Sequence, residues 1–164
     1  MAELSQMERL QPSLLDRLTD EEPDRRQEGP NKRFFSVARL RTVIQRDVSW
    51  LLNTCNLETV QDLSEYPEVA RSVVNYGISD LTGANVSGFD AQALERMVKQ
   101  AIIDFEPRIL RNTVTVRAFV AEGQMSPSAL KFQIEGELWA HPAPVDIVLQ
   151  SEIDLENGLV SVQE

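Results

Sequence analysis

Between residues 90 and 120 the hydrophobic period changes from that of a helix to that of a strand. The apolar positions of the helical part are Leu94, Met97, Val98, Ala101, Ile102 and Phe105. The triplet Glu106-Pro107-Arg108 ends this pattern, because Pro107 disfavours helical backbone at the residue before it and has no N–H to donate. From Thr113 onward, valines alternate with polar residues, which is typical of a half-buried antiparallel strand. The chain must therefore turn from a helix into a sheet at this triplet.

Two further helices are predicted upstream of this turn. Apolar positions at steps of three and four indicate a core helix over residues 36–53, with Ser36 as its N-cap. A shorter helix is predicted to begin at Pro67, which suits a first turn, and to end at Gly77, which can adopt left-handed backbone. Its apolar side would consist of Val69, Val73 and Val74. A loop should then run to about Gly88.

The last third of the chain has the two-residue period of strands. In "LKFQIEGEL", residues 130–138, apolar and polar positions alternate, so one face is expected to be buried. Asn157-Gly158 predicts a hairpin with a type I′ turn, which needs positive φ at both central residues. Helices first and strands last, without alternation, indicate an α+β fold: N-terminal helices followed by a small, mostly antiparallel sheet ending in a β-hairpin.

One strand of this hairpin has no Lys or Pro between Ile147 and Leu155. Edge strands are normally protected by such residues, so the segment "IVLQSEIDL" is expected to leave an open edge that an extended segment could join. The alternative is that the edge is covered by the protein's own helices or is simply solvated.

The first 33 residues differ in composition from the rest. Leu10, Leu14 and Leu18, spaced by four, with Leu15 alongside, form a short apolar stripe on about two helical turns. Residues 19–33 mix both charge signs with Pro and Gly, a composition that cannot bury enough apolar surface to order itself. We therefore predict a short helix and charged linker over residues 1–33, and a single α+β domain over residues 34–164. Whether the leucines pack on this domain or on a partner stays open.

Several classes of function are disfavoured. The formal net charge of -10 repels phosphates, so no nucleic-acid partner is expected. No apolar stretch reaches the roughly 18 residues of a membrane span, and the start of the chain lacks the pattern of a secretory signal. Cys55 is the only cysteine and His141 the only histidine, so neither a disulfide nor a metal or other cofactor is expected, and a reducing cytoplasm fits best.

The triplet at the helix end allows two interpretations. Extended backbone at Pro107 would place Glu106 and Arg108 on the same side, as a rigid charged pair suited to docking through charge-assisted hydrogen bonds. The alternative is a simple helix stop with two solvated charges. Catalysis is disfavoured, because a cation beside Glu106 would keep it ionised, whereas the general acid of a glycosidase must carry a proton. No catalytic residue is therefore proposed.

Three motifs together resemble a known family. "LLDRL", "YPEVARSVVNYGISDLTG" and "FEPRIL" occur in this order, and over nearly its whole length the chain is similar to the TssE family of type VI secretion baseplate subunits. That family is similar in turn to the lysozyme-like wedge protein of contractile phage tails. One position departs from the pattern, because Ser79 stands where a proline is expected. A less rigid loop would follow.

The resemblance implies a non-enzymatic subunit of the baseplate wedge in the cytoplasm, at the inner face of the cytoplasmic membrane. It implies TssF, TssG and TssK as baseplate partners, and a place where the sheath of TssB and TssC begins to polymerise. The partner-binding residues that it implies are Glu106, Pro107, Arg108, Leu14, Leu15, Arg17 and Leu18. The competing hypothesis is a peptidoglycan hydrolase, which the lysozyme-like label of the family would suggest.

Overall fold

A computed structural model describes residues 12–19, 23–24, 36–81, 90–119, 129–140 and 143–164. The helices are α1 (Leu14–Leu18), α2 (Val37–Leu52), α3 (Pro67–Ala70) and α4 (Ala91–Phe105), and the strands are β1 (Thr115–Phe119), β2 (Ala129–Leu138), β3 (Val145–Asp154) and β4 (Val160–Gln163). Short 3-10 turns lie at Leu57–Thr59 and Val73–Asn75. The predicted α+β class, with helices before an antiparallel sheet and a final hairpin, is confirmed. Most of the predicted linker, the loop before Gly88 and His141 lie outside the described residues.

The sheet has the strand order β1-β2-β3-β4, and every neighbouring pair is antiparallel. Strands β2 and β3 pair along their full lengths, from Ala129 opposite Asp154 to Leu138 opposite Val145. Helix α4 packs on β1, and α2 packs on β4. The alternating side chains of β2 that were predicted to face inward are all buried: Leu130, Phe132, Ile134 and Leu138. The core therefore lies between this face of the sheet and the two long helices.

The ends of the two long helices follow their sequence signals. Ser36 caps α2, and its side chain accepts a hydrogen bond from the backbone N–H of Arg39 at 3.1 Å. Asp90 caps α4 in the same way. Helix α4 ends at Glu106, whose φ of -118° and ψ of 79° are non-helical, as Pro107 requires of the residue before it. The predicted turn from helix to sheet is confirmed.

The predicted helix after Pro67 is wrong beyond its first turn. Helix α3 stops at Ala70, and Val73 and Val74, which were expected on a buried face, are exposed. Gly77 has a φ of 121°, yet it does not end a helix. A Cβ atom added there would lie 2.1 Å from the carbonyl oxygen of Thr54. Gly77 is needed because the chain passes directly against the end of α2 at this point.

The final hairpin is confirmed, but its turn is not type I′. Only Gly158 has positive φ, at 72°, and Asn157 does not. The loop is longer than two residues, since the N–H of Gly158 bonds to the carbonyl of Asp154 at 2.7 Å and Asp154 N–H bonds to Leu159. Side-chain oxygens of Asp154 and Asn157 accept from Glu156 and Leu159 N–H at 2.9 and 2.8 Å. These side chains stabilise a turn that a two-residue rule does not describe.

Strand β3 is not the edge strand that the sequence suggested. It lies between β2 and β4, although β4 pairs only with Gln150 to Ile153. No other described strand covers the first half of β3 on that side. There, Arg41 of α2 donates to the carbonyl oxygen of Asp146 at 2.9 Å and forms an ion pair with Glu164.

The outer edge of β4 is partly covered by α2 and its C-cap. Asn53 both donates to the carbonyl of Val160, at 2.8 Å, and accepts from its N–H, at 2.9 Å. Gln45 donates to the carbonyl of Val162 at 2.8 Å. Groups of Val160 and Val162 at the edge of β4 are thus covered by α2 and its C-cap, but this edge does not belong to the segment "IVLQSEIDL".

Candidate functional site

The triplet at the end of α4 forms a tightly bonded corner. Glu106 is only 4 % exposed, and its Oε1 atom accepts from the backbone N–H of Arg108 at 3.0 Å and from Arg108 Nε at 2.7 Å. Its other oxygen accepts from Nη2 of the same guanidinium. This two-pronged arrangement uses both carboxylate oxygens. Pro107, between the two charged residues, is exposed.

The guanidinium also connects the corner to α2. Nη2 of Arg108 donates to Oδ2 of Asp47 at 2.6 Å. The other oxygen of Asp47 accepts from Nε of Arg46 at 2.8 Å, and Nη1 of Arg46 pairs with Asp16 of α1 at 2.8 Å. Five side chains of alternating charge thus run from α4 across α2 to α1. We call Glu106, Arg108, Asp47, Arg46 and Asp16 the ion-pair chain.

The charge state of Arg108 follows from this environment. Burial by itself would lower its pKa, but the hydrogen bonds and charges of Glu106 and then Asp47 outweigh burial and raise the pKa above the ordinary arginine value. For Tyr76, burial raises the pKa of the phenol, with smaller contributions from the same two carboxylates. Its ring meets Phe105 edge-on, with 5.4 Å between the centroids. The corner is therefore a fixed set of charges backed by aromatic rings.

The predicted docking pair is brought together, but not as free groups. Glu106 and Arg108 lie on the same side, as expected, and their hydrogen-bonding capacity is directed largely at each other and at Asp47. The alternative of two solvated charges is wrong, since Glu106 is buried. A docking role of the triplet stays a prediction, and the structure indicates that its exposed element is Pro107.

The short helix α1 is attached to the domain with its polar side inward. The side chain of Asp16 is 3 % exposed and bonds to Arg46 and Ser13, whereas Leu14 and Leu18 are 71 % and 75 % exposed. The alternative that these two leucines pack on their own domain is therefore wrong. Leu15, at 46 %, is partly covered, and Arg17 is exposed.

Sequence reasoning missed three members of the ion-pair chain, namely Asp16, Arg46 and Asp47. Asp16 stood within the quoted motif "LLDRL", but a charged residue beside leucines is most often solvated. Arg46 and Asp47 are separated from Arg108 by about 60 positions, and no local pattern reveals such a pairing. Their adjacent opposite charges, next to the apolar face of α2, were the only available signal.

A cavity of about 410 Å³ lies between α1 and the corner. Its residues are Ser13, Leu15, Asp47, Trp50, Leu51, Tyr76, Phe105, Glu106, Pro107 and Arg108. Arg46 lies over the ring of Trp50, with 4.8 Å from its guanidinium carbon to the ring centroid. The predicted N-terminal motif and the Glu-Pro-Arg motif therefore share one largely apolar concave surface. Asp47, Glu106 and Arg108 of the ion-pair chain also line it.

Within the described ranges, no cluster of three or more His, Cys, Asp or Glu side chains is arranged to hold a metal ion. No helix in those ranges combines the length and apolar character needed to cross a bilayer. The polar groups of the corner bind one another and leave a largely apolar hollow beside them.

Comparison with protein families shows the family to which the chain belongs. Residues 38–143, well over half of the chain, match the family of the baseplate wedge protein gp25. The chain belongs to this family, which includes TssE, and the resemblance inferred from the three motifs is confirmed. It is thus a structural component of a baseplate. The search of curated proteins and the search of solved structures found no match.

The buried pair in the corner leads to a prediction about stability. Arg108→Met leaves Glu106 buried without its counter-charge, so the free energy of unfolding should fall by roughly 3 to 5 kcal/mol. The double variant Glu106→Gln with Arg108→Met should recover much of that loss, because no charge is then left unpaired. Urea unfolding of the isolated protein measures both. Arg111→Met, at an exposed arginine, is the control and should stay within about 0.5 kcal/mol. Glu106→Gln alone completes the cycle, and simple additivity of its loss and that of Arg108→Met would contradict the proposed coupling.

The attachment of α1 should depend on pH. Burial tends to raise the pKa of Asp16, but hydrogen bonds from Ser13 and Arg46, and the charges of Arg46 and Arg108, hold it below the ordinary value of 3.8. A carboxyl group whose pKa is lowered on attachment stabilises the attached state above its ordinary pKa, and this contribution is lost as the pH falls through the lowered value. Attachment should therefore be complete at neutral pH and weaken below about pH 3.8.

Fluorescence of Trp50, which lines the cavity beside Leu15, measures this change once Trp139 is replaced by Phe. The same chain with Asp16→Asn is the control, since it keeps every other acid that titrates in this range. The two acid titration curves should differ at neutral pH, where only the aspartate holds α1 in place, and should converge as the pH falls below about 3.8. Superimposable curves would show that Asp16 does not anchor the helix.

Proposed function

We propose that this baseplate component is a non-enzymatic wedge subunit of a type VI secretion system, which docks through the Glu-Pro-Arg corner and helps to start the contractile sheath. The observation that carries the docking role is the state of Glu106. It is buried, and both of its oxygens accept hydrogen bonds from Arg108, while Pro107 lines the cavity. The charges hold the turn so that the proline ring and the hollow beside it can meet a partner.

The chemistry of the corner favours an apolar contact supported by polar ones. Trp50, Phe105 and Pro107 offer ring surface, and aromatic residues beside a concave site commonly dominate the energy of protein interfaces. Arg108 is still about one quarter exposed, so a partner that covers Pro107 would also approach the edge of its guanidinium. A partner that inserts an apolar side chain here and offers an acceptor to Arg108 fits this surface.

The partners proposed for this surface are the wedge proteins TssF and TssG, with TssK associated with them. The complex would lie in the cytoplasm, at the inner face of the cytoplasmic membrane. For TssB and TssC, the proposed contact is the first half of β3, whose β4 side carries no described strand. An extended arm of a sheath subunit can add there by main-chain hydrogen bonds.

A hydrolase is the less favoured function, for a specific reason. A glycosidase needs one carboxylic acid that holds a proton at working pH. Both oxygens of Glu106 instead accept hydrogen bonds from a guanidinium that is itself fixed by Asp47, so neither oxygen is available to act on a substrate.

Purified protein should therefore leave a peptidoglycan suspension turbid at neutral pH, whereas added lysozyme clears it. Glu106→Gln should behave as the natural chain does, after circular dichroism has established that it is folded. Clearing by the natural chain that disappears in Glu106→Gln would replace the structural proposal with the enzymatic one.

Pro107→Ala tests the docking role without breaking the ion-pair chain. The substitution removes the ring from the cavity, and it should change the free energy of unfolding by no more than about 1 kcal/mol, because the site is exposed. Recovery of TssF and TssG with the tagged chain from its own cells should fall at least roughly fivefold, as expected for the loss of a central interface contact.

The matched control is Pro67→Ala, at a second exposed proline in the first turn of α3. It should leave the recovery of wedge proteins unchanged. Undiminished recovery with Pro107→Ala would remove the corner from the interface. If TssF and TssG never co-purify with the natural chain, the assignment to a type VI secretion system is wrong.

A further inference from the structure

Trp139, the residue directly after β2, is a large aromatic side chain that the fold leaves outside the core. It is 67 % exposed. Tryptophan is highly buried on average, and a buried one removes roughly 150 to 250 Å² from water, so this exposure is unusual for so large a ring. Trp139 belongs neither to the Glu-Pro-Arg triplet nor to the ion-pair chain.

The backbone places Trp139 at the corner. Ile109 and Leu138 form an antiparallel bridge, so Trp139 stands opposite Arg108. The N–H of Trp139 donates to the carbonyl oxygen of Arg108 at 2.7 Å. Opposite residues of an antiparallel pair have Cα atoms roughly 4.5 to 5.5 Å apart. The indole is therefore fixed at its base beside a residue whose guanidinium is still about one quarter exposed.

The polar groups that this pair of side chains presents are all hydrogen-bond donors. An indole offers one N–H, a guanidinium offers only N–H groups, and neither can accept. Glu106 and Asp47 raise the pKa of Arg108 above the ordinary arginine value, so its guanidinium keeps its charge. Whatever covers this surface must supply acceptors, and a carboxylate is the strongest partner for a guanidinium.

We infer that Trp139 is an anchor of the docking surface, and that its indole enters an apolar pocket of the wedge protein that covers Pro107. An Asp or Glu of that protein faces the indole N–H and the free edge of Arg108. This inference rests on the proposed function and adds a residue outside the triplet. Tryptophan is enriched among the residues that dominate interface energy, and a ring fixed at its base loses little conformational entropy on binding.

The exposed ring and the neighbouring cavity give the surface a projecting part and a concave part. A partner must match both shapes at once, so Trp139 contributes to specificity as well as to affinity. Other occupants fit the charge less well. A second copy of the chain, a nucleic acid and an anionic membrane are all repelled at long range by the net charge of -10.

Tagged full-length chains purified from their own cells provide the first test. Recovery of TssF and TssG should fall at least roughly tenfold for Trp139→Ser. Trp139→Phe keeps a ring but loses the N–H, so its loss should be smaller. The melting temperature should not change, because the side chain is largely exposed. The matched control is Tyr66→Ser, at an exposed aromatic residue on another surface, and it should leave recovery unchanged.

A spectroscopic measurement reports directly on whether the indole is covered. The chain has two tryptophans, so 5-fluorotryptophan gives two ¹⁹F signals, and Trp139→Phe assigns them. In the isolated chain the signal of Trp139 should shift between H₂O and D₂O, because the ring is exposed. Added TssF and TssG should abolish most of that solvent shift. A signal that keeps its full solvent shift in the complex would overturn the inference.

Benzoylphenylalanine at position 139 keeps a large aromatic ring and cross-links to what lies opposite. The inference predicts a cross-link to an apolar segment of a wedge protein beside an Asp or Glu. Replacing that acid by Ala should lower recovery several-fold with the natural chain, and by a smaller factor with Trp139→Phe, which has already lost the N–H. Equal losses in both backgrounds, or cross-links to a second copy or to lipid, would contradict the inference.

The outcomes also separate this inference from the proposed function. If Pro107→Ala loses the wedge proteins while Trp139→Ser retains them, the wedge function stands and the role of Trp139 is wrong. If the natural chain recovers no wedge proteins, the proposed function and this inference both fall.

Discussion

The fold around the functional corner depends on one buried ion pair, between Glu106 and Arg108. Pro107 forces α4 to stop and leaves the backbone at Glu106 in a conformation that cannot continue the helix. The carboxylate then accepts from both the backbone and the guanidinium of Arg108, so the same side chain closes the turn and neutralises a charge. Because Arg108 also reaches Asp47, the turn is fixed to α2 as well as to the sheet that follows. The Glu-Pro-Arg triplet, a local sequence signal, thereby connects α4, α2 and the sheet.

The elements themselves could be predicted from the sequence because their signals are local. Ser36, Asp90 and Pro107 mark helix ends through bonds and clashes within a few residues, and the alternation in β2 shows directly which side chains are buried. The predictions failed where a long-range contact decides. Gly77 was assigned to a helix end, but its positive φ serves the passage beside Thr54, which no local pattern contains. The lack of Lys or Pro in β3 suggested an open edge, but β3 lies inside the sheet because it pairs with β4, and its own sequence does not reveal this pairing.

In the candidate site, too, the local features could be predicted from the sequence and the long-range contacts could not. The position of the Glu-Pro-Arg triplet followed from the sequence, whereas the outward display of the N-terminal leucines had been left open. The state of the charges did not follow from the sequence, since it requires Asp16, Arg46 and Asp47, which come from two separate helices. Their pairing turns a presumed set of free docking charges into an internal support for Pro107 and α1. Charged motifs in interface proteins can thus act by positioning apolar groups, and a motif's most polar residues need not be the ones that touch the partner.

The contact between Arg41 and β3 has a consequence for selectivity. In an antiparallel ladder the N–H and C=O groups of alternate residues face the same neighbour, so Asp146 faces the side on which Asp154 bonds to the chain near β4. Arg41 already occupies the carbonyl of Asp146 and is drawn to Glu164. An incoming strand must displace a tethered cation before it can pair there. At this part of the sheet, an extended peptide therefore competes with Arg41 for the carbonyl of Asp146 unless it offers Arg41 another acceptor.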